Sequence, residues 1–156
     1  GGEQIARFTT STHDKDGYLA ASPPVIQEMI DHYAAKVDRA ADEIALVKQD
    51  FQPGAEILVV SYGITSRSAA VAVRSARAAG VKISSLVLQT LYPVPATALV
   101  SAMRGIKRIV VPEMNMGQYI LEIERLAPSG VEIIGVNKMD TTLVSPQEIL
   151  EQGGLK

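Results

Sequence analysis

The run Glu113-Met114-Asn115-Met116-Gly117-Gln118 sets a carboxylate beside two amides and two methionines around a glycine, directly after the apolar stretch Ile109-Val110-Val111. A carboxylate at the end of a buried strand can act as a general base if an acid, a second base or a nucleophile lies within reach. The sequence offers Glu113 no such partner. Its expected role is therefore to cap a helix, and Glu113, Met114, Asn115, Met116 and Gln118 are the candidate interface residues. A second candidate is the turn Gly63-Ile64-Thr65-Ser66, where backbone N–H groups and hydroxyls of Gly63, Thr65 and Ser66 meet at a helix start, a geometry suited to an anion. It has neither the further glycines of a dinucleotide fingerprint nor the lysine of a P-loop, so the competing expectation is a plain N-cap by Thr65 or Ser66.

The segment His13-Asp14-Lys15-Asp16-Gly17 has too few ligands for a metal site, and an Asx-type turn closed by Gly17 accounts for the same residues. His32 is expected on a surface, and Arg67, Arg74 and Arg77 on a solvated helix face that is also chemically suited to an acidic partner. The chain has no cysteine. That removes disulfides, thiolate nucleophiles and cysteine-ligated zinc or iron–sulfur centres, and two distant histidines make zinc or nucleophilic catalysis a poor fit. Catalytic and metal residues are thus expected to be absent.

These residues sit in 156 positions, 47% hydrophobic and 21% charged, the balance of one globular domain. A formal charge of -2 gives no electrostatic reason for a nucleic-acid or anionic-membrane partner. No apolar run is long enough to span a bilayer, and Gly1-Gly2-Glu3 has no secretory character, so a cytoplasmic location is the expectation. Residues 1–24, with Thr9-Thr10-Ser11-Thr12 ahead of the histidine segment, show no sustained periodicity and read as an extended arm. Pro23-Pro24 then opens a long helix over about 25–49. In it Ile26, Ile30, Tyr33, Val37, Ala40, Ile44 and Val47 form one apolar stripe, suited to the chain's own sheet or to a partner helix. A seam between this part and a sheet core over about 55–156 is expected near Gly54.

From there the pattern alternates: strand 56–62, helix 65–79, strand 81–89, helix 95–103, strand 107–112, helix 116–127, strand 131–136, and a short helix opened by Ser145-Pro146-Gln147-Glu148. Strands apolar on both faces, separated by helices, predict a three-layer α/β/α sandwich with a mostly parallel sheet. In such sheets ligands lie beyond the carboxyl ends of the strands, where both candidate turns fall.

The stretch Val111-Pro112-Glu113-Met114-Asn115-Met116-Gly117-Gln118, with Leu91-Tyr92-Pro93-Val94-Pro95 before it, resembles the C-terminal part of the alpha subunit of 2-oxoacid:ferredoxin oxidoreductases. Tyr62-Gly63-Ile64-Thr65 and the His13-Asp14-Lys15-Asp16-Gly17 segment followed by a charged helix resemble that family too, and the Glu-Met-Asn-Met-Gly-Gln form is closer to its 2-oxoglutarate branch than to its pyruvate branch. The resemblance implies a transketolase C-terminal-like domain with a five-stranded sheet. The pattern above supplies four strands, and the fifth is expected in the arm or near residues 140–144.

The resemblance also implies that the whole enzyme converts a 2-oxoacid to its acyl-coenzyme A using thiamine diphosphate with magnesium, passing electrons through iron–sulfur clusters to ferredoxin. None of those cofactors is expected on this chain, which has no diphosphate motif. It implies partners as well: the N-terminal part of the same alpha subunit, the beta and other subunits, and ferredoxin by way of the complex. The alternatives are the equivalent domain of a pyruvate:ferredoxin oxidoreductase, of a 2-oxoacid dehydrogenase or of a transketolase-type enzyme, or a domain binding a small anion.

Overall fold

Short runs of aliphatic and β-branched residues form the centre of the molecule, because such side chains pack well on a pleated surface and lose most by staying in water. The structure is a computed structural model and describes residues 2–3 and 11–156. The chain divides into two compact units, Gly1–Glu43 and Ile44–Lys156.

In the first unit α1 spans Pro23–Ile44, ending as the second unit begins, and none of its residues is buried. Ile30 and Tyr33 of the predicted stripe are 51% and 46% exposed. Ahead of it, residues 12–20 are not extended as predicted but fold back on themselves. Asp14 Oδ1 accepts the Asp16 and Tyr18 N–H groups at 2.9 and 3.0 Å, Gly17 takes φ +82°, and His13 bridges to Leu19. This is the Asx-type turn expected of that segment. The rest of the predicted arm, Thr9 and Thr10 included, lies partly outside the described residues.

The second unit runs β1 (Val47–Asp50), β2 (Ile57–Tyr62), α2 (Thr65–Ala78), β3 (Ile83–Leu88), α3 (Ala96–Ala102), β4 (Arg108–Glu113), α4 (Ile120–Leu126), β5 (Glu132–Asn137) and α5 (Pro146–Gln152). The sheet order is β1-β3-β2-β4-β5, with β2 to β5 parallel and β1 antiparallel on the edge of β3, from Val47 opposite Leu88 to Asp50 opposite Ser85. The fifth strand is therefore neither in the arm nor near residue 140. It lies where the long helix was expected to continue, and this moves the seam from Gly54 to the Glu43–Ile44 boundary.

Both faces of the sheet are covered. Leu58, Val60, Leu86, Ile109 and Val111 pack with Leu99 of α3 and Ile123 of α4, and all are fully buried. On the opposite face Val59, Ile83 and Val110 pack with Ala72 and Val73 of α2 and Ile149 of α5. Successive residues of β2 alternate between the two clusters, as a strand's period of two requires. Each fully buried Leu, Ile or Val contributes about 1.5–3 kcal/mol. The three-layer α/β/α sandwich is thus the observed fold, and among the described residues no helix is long and apolar enough to cross a membrane.

From β2 the chain steps outward to β3, then returns to the other side of β2 for β4 and β5. The topological switch point therefore lies between β2 and β4. The paired register of these strands covers only Ile57–Val59 with Arg108–Val110. Arg108 N–H donates to Glu56 O, so alternate residues of β4 face β2, and the second one after Arg108 is Pro112, which has no N–H to give. The ladder stops there, and beyond it the carboxyl ends of β2 and β4 are joined by side chains.

Candidate functional site

Tyr62 ends β2 on the same face as Leu58 and Val60, and Glu113 ends β4 on the same face as Ile109 and Val111, so the two side chains meet across the switch point. Tyr62 O–H donates to Glu113 Oε2 at 2.8 Å. The same oxygen accepts Tyr119 N–H at 2.9 Å and Oε1 accepts Ile120 N–H at 2.9 Å, both from the first turn of α4. Glu113 is 0% exposed. Its carboxylate lies where an anion would be held in other open α/β sheets, at a helix start in the crevice, and satisfies N–H groups the helix cannot pair itself.

Asn115 completes the network. Its Nδ2 donates to the Tyr62 hydroxyl oxygen at 2.8 Å, while Oδ1 accepts Gly117 N–H at 2.8 Å and Gln118 N–H at 3.0 Å. Gly117 takes φ +85°, and a Cβ there would lie 2.7 Å from Asn137 Nδ2 at the end of β5. Both positive φ and close approach demand glycine. This Asn-held turn is why α4 starts at Ile120 rather than at residue 116.

Burial, and then the hydrogen bond to Glu113, push the Tyr62 hydroxyl up to about 12; burial, and then the charge of Glu122, do the same to Tyr119. The two rings lie 5.5 Å apart, tilted by 56°, and Tyr119 O–H reaches Leu91 O at 3.3 Å. Neither tyrosine is among the site residues expected from the sequence, where Tyr62 counts only as part of the Tyr62-Gly63-Ile64-Thr65 resemblance. The available signal was the parity of Tyr62 with Leu58 and Val60, but its partner is 51 residues away.

The predicted site residues divide. Glu113 caps α4 and has no surface to offer an interface, so its place among the interface candidates is corrected by burial. Met114 is half-buried against the α2/α5 core, Asn115 is half-buried, Gln118 is exposed and Met116 is 82% exposed. At the other turn, no side chain caps α2. Thr65 and Ser66 hydroxyls instead donate to Tyr62 O and Gly63 O, each at 2.7 Å. The N-cap expectation fails because both hydroxyls turn back to the strand-end carbonyls, and their donor protons are already committed. Thr65 is 4% exposed.

Arg77 is not on a solvated face. Its guanidinium pairs with Asp50 at 3.0 Å and donates to Ile83 O at 2.8 Å, tying β1 to β3. His32 is exposed as expected, and the His13 ring lies 3.0 Å from Tyr33 Oη.

The donor set does not fit the cofactors that the resemblance attaches to the whole enzyme. There is no cysteine to ligate an iron–sulfur cluster. Among the described residues no group of three or more His, Asp or Glu side chains is placed to hold a metal ion. At the switch point the Tyr119 and Ile120 N–H groups of the α4 start are taken by Glu113 and are not offered to a diphosphate.

Residues 55–149 match the family model described as pyruvate:ferredoxin oxidoreductase core domain II. The 2-oxoglutarate synthase subunits KorA of Methanothermobacter marburgensis and Methanocaldococcus jannaschii are 34% and 36% identical to this chain over 92% and 91% of it. Those matches take in only 39% and 38% of the relatives' own lengths, so the chain spans about two-fifths of them. The 2-oxoglutarate:ferredoxin oxidoreductase of Magnetococcus marinus superposes with a TM-score of 0.71 at 18% identity, covering 92% of this chain and 25% of that one, which is a likeness of fold. With a family model matched across the four parallel strands, the helices between them and the switch point, the chain belongs to the pyruvate:ferredoxin oxidoreductase core domain II family.

Proposed function

We propose that this chain is a noncatalytic structural and assembly domain of the alpha-type subunit of a 2-oxoglutarate:ferredoxin oxidoreductase. The observation that carries the noncatalytic part is the closed network at the switch point. Tyr62, Glu113, Asn115 and the α4 start satisfy one another within the chain, so no acid, base or nucleophile there is free to meet a substrate. The similarity to KorA subunits along 92% of the chain favours the 2-oxoglutarate branch.

In this reading the thiamine diphosphate, magnesium and iron–sulfur clusters of the complex are held by other domains and subunits. The N-terminal part of the same subunit and the beta subunit are the partners, ferredoxin is met through the complex, and the assembly works in the cytoplasm. The test is reconstitution: an oxidoreductase lacking this domain is assayed for 2-oxoglutarate- and coenzyme A-dependent reduction of a viologen dye, with and without the chain. Restored activity supports the reading. Binding without activity limits the role to assembly, and no binding sends the chain to another thiamine enzyme.

A further inference from the structure

The two ends of the sheet have opposite character. At the amino end the strand starts carry ion pairs, Lys107 with Glu56 at 2.7 Å and Arg108 with Glu132 at 2.6 Å, as a water-facing edge does. At the carboxyl end the loops after β2, β3, β4 and β5 present Ile64, Leu91, Tyr92, Met116, Met139 and Leu143, exposed by 47, 39, 79, 82, 65 and 57%. The only charges in those loops are Lys138, paired with Glu148 at 2.7 Å, and Asp140, whose Oδ1 accepts the Thr142 N–H and hydroxyl at 3.0 and 2.6 Å.

The loops form one held surface. Tyr119 reaches the Leu91 carbonyl, Gly117 lies against Asn137, and Tyr62 with Glu113 closes the gap between β2 and β4. Exposed tyrosine and methionine with few charges is the composition of an interface core, and a surface already fixed by its own hydrogen bonds loses little freedom on being covered.

We propose that this carboxyl-end rim is the docking surface for a further domain of the same, longer polypeptide, which meets it with an apolar, uncharged face. The inference rests on the reading of the chain as one domain of an oxidoreductase subunit. Relatives of which the chain matches 39% and 38% have more than half their length beyond it. A partner that must arrive by diffusion gains rate and selectivity from charge, and this rim offers only Asp140 beside a Lys138 already paired with Glu148. A domain tethered on the same polypeptide needs no steering, because the tether holds it at high effective concentration.

The test is peroxide oxidation of the full-length subunit, purified alone and dilute, with sulfoxide at Met116 and Met139 read by peptide mass. Both are expected to oxidise about tenfold more slowly than methionine in a short unstructured peptide, since oxidation follows exposure. Met103, 1% exposed in the core, reports whether the fold is intact. Tyr92→Glu with Leu143→Glu is expected to bring both methionines to the peptide's rate with Met103 still protected, and Leu121→Glu, at a 61% exposed position on α4, to change neither.

Full-rate oxidation of Met116 and Met139 in the wild-type subunit overturns the proposal. So does protection that appears only on adding other subunits, or only as the subunit concentration rises, which assigns the rim to a separate subunit or a second copy. Because the wild-type footprint decides, a double variant that does not fold costs nothing. The readout is a mass rather than turnover. A subunit inactive with 2-oxoglutarate therefore defeats the functional reading without touching the result at the rim.

Discussion

Glu113 accepts hydrogen bonds from Tyr62 O–H, Tyr119 N–H and Ile120 N–H while fully buried, so each donor loses its acceptor if the side chain is truncated. Glu113→Ala should destabilise the fold by roughly 3 kcal/mol or more, read by urea denaturation, since every buried donor left unmatched costs about 1–3 kcal/mol. Tyr62→Phe keeps the ring and removes one hydroxyl, and should cost about 1 kcal/mol. A smaller loss for Glu113→Ala than for Tyr62→Phe would show that the carboxylate is not the centre of the network.

Both tyrosines titrate near 12 when folded, against an ordinary value of 10.0. The folded state therefore holds its protons while the unfolded chain releases them. The stability from these groups is fully present below about pH 10 and is lost as the pH rises toward 12. Absorbance of tyrosinate should show Tyr62 and Tyr119 ionising late, and Tyr62→Phe should remove one of these two late steps. The role of Glu113 as a helix cap was legible in its position at a strand end. Its partner Tyr62 was not, because sequence shows parity along a strand and not which strand lies beside it.

Among the elements, α5 is held by a capping box that the sequence Ser145-Pro146-Gln147-Glu148 announces. Ser145 Oγ accepts Glu148 N–H at 3.2 Å, and Glu148 Oε2 accepts Ser145 N–H at 2.7 Å. Ser145→Ala should cost about 1 kcal/mol. The hydrogen bond from Lys138, followed by those from Ser145, holds the Glu148 carboxyl down at about 2. Its contribution is present above the ordinary 4.5 and is lost as the pH falls toward 2. Lys138→Met should raise that value toward 4.5 in an NMR titration, and an unmoved titration would remove the lysine from the account.

The failures of element prediction have local causes. Val47 follows Ile44 by three residues and so continues a helical stripe, but Val47–Asp50 pairs with β3 and is anchored by Arg77 on Asp50. A four-residue edge strand with three exposed positions leaves no alternation to read. The pattern over 116–127 predicts a helix from Met116, yet α4 starts only at Ile120. Asn115 prevents the earlier start by taking the Gly117 and Gln118 N–H groups.

At the scale of the whole molecule, every buried apolar side chain among the described residues lies between Leu58 and Leu155, and both core clusters belong to the second unit. Residues 44–156 alone should therefore unfold cooperatively, with a single urea transition whose slope matches a domain of that size. A broad or absent transition would show that residues 1–43 supply something the core lacks.

The layered α/β architecture was determined by the sequence itself, because a strand buried on both faces must be apolar throughout and a crossover helix must carry one apolar face, and both leave a periodic trace. The same holds for the absence of cysteine and the capping box, which are local facts. Strand order, the antiparallel edge strand, the missing ladder bond at Pro112 and the meeting of Tyr62 with Glu113 were decided only by the tertiary structure. Each depends on which segments become neighbours, and that is set by the packing of the whole chain rather than by any window along it.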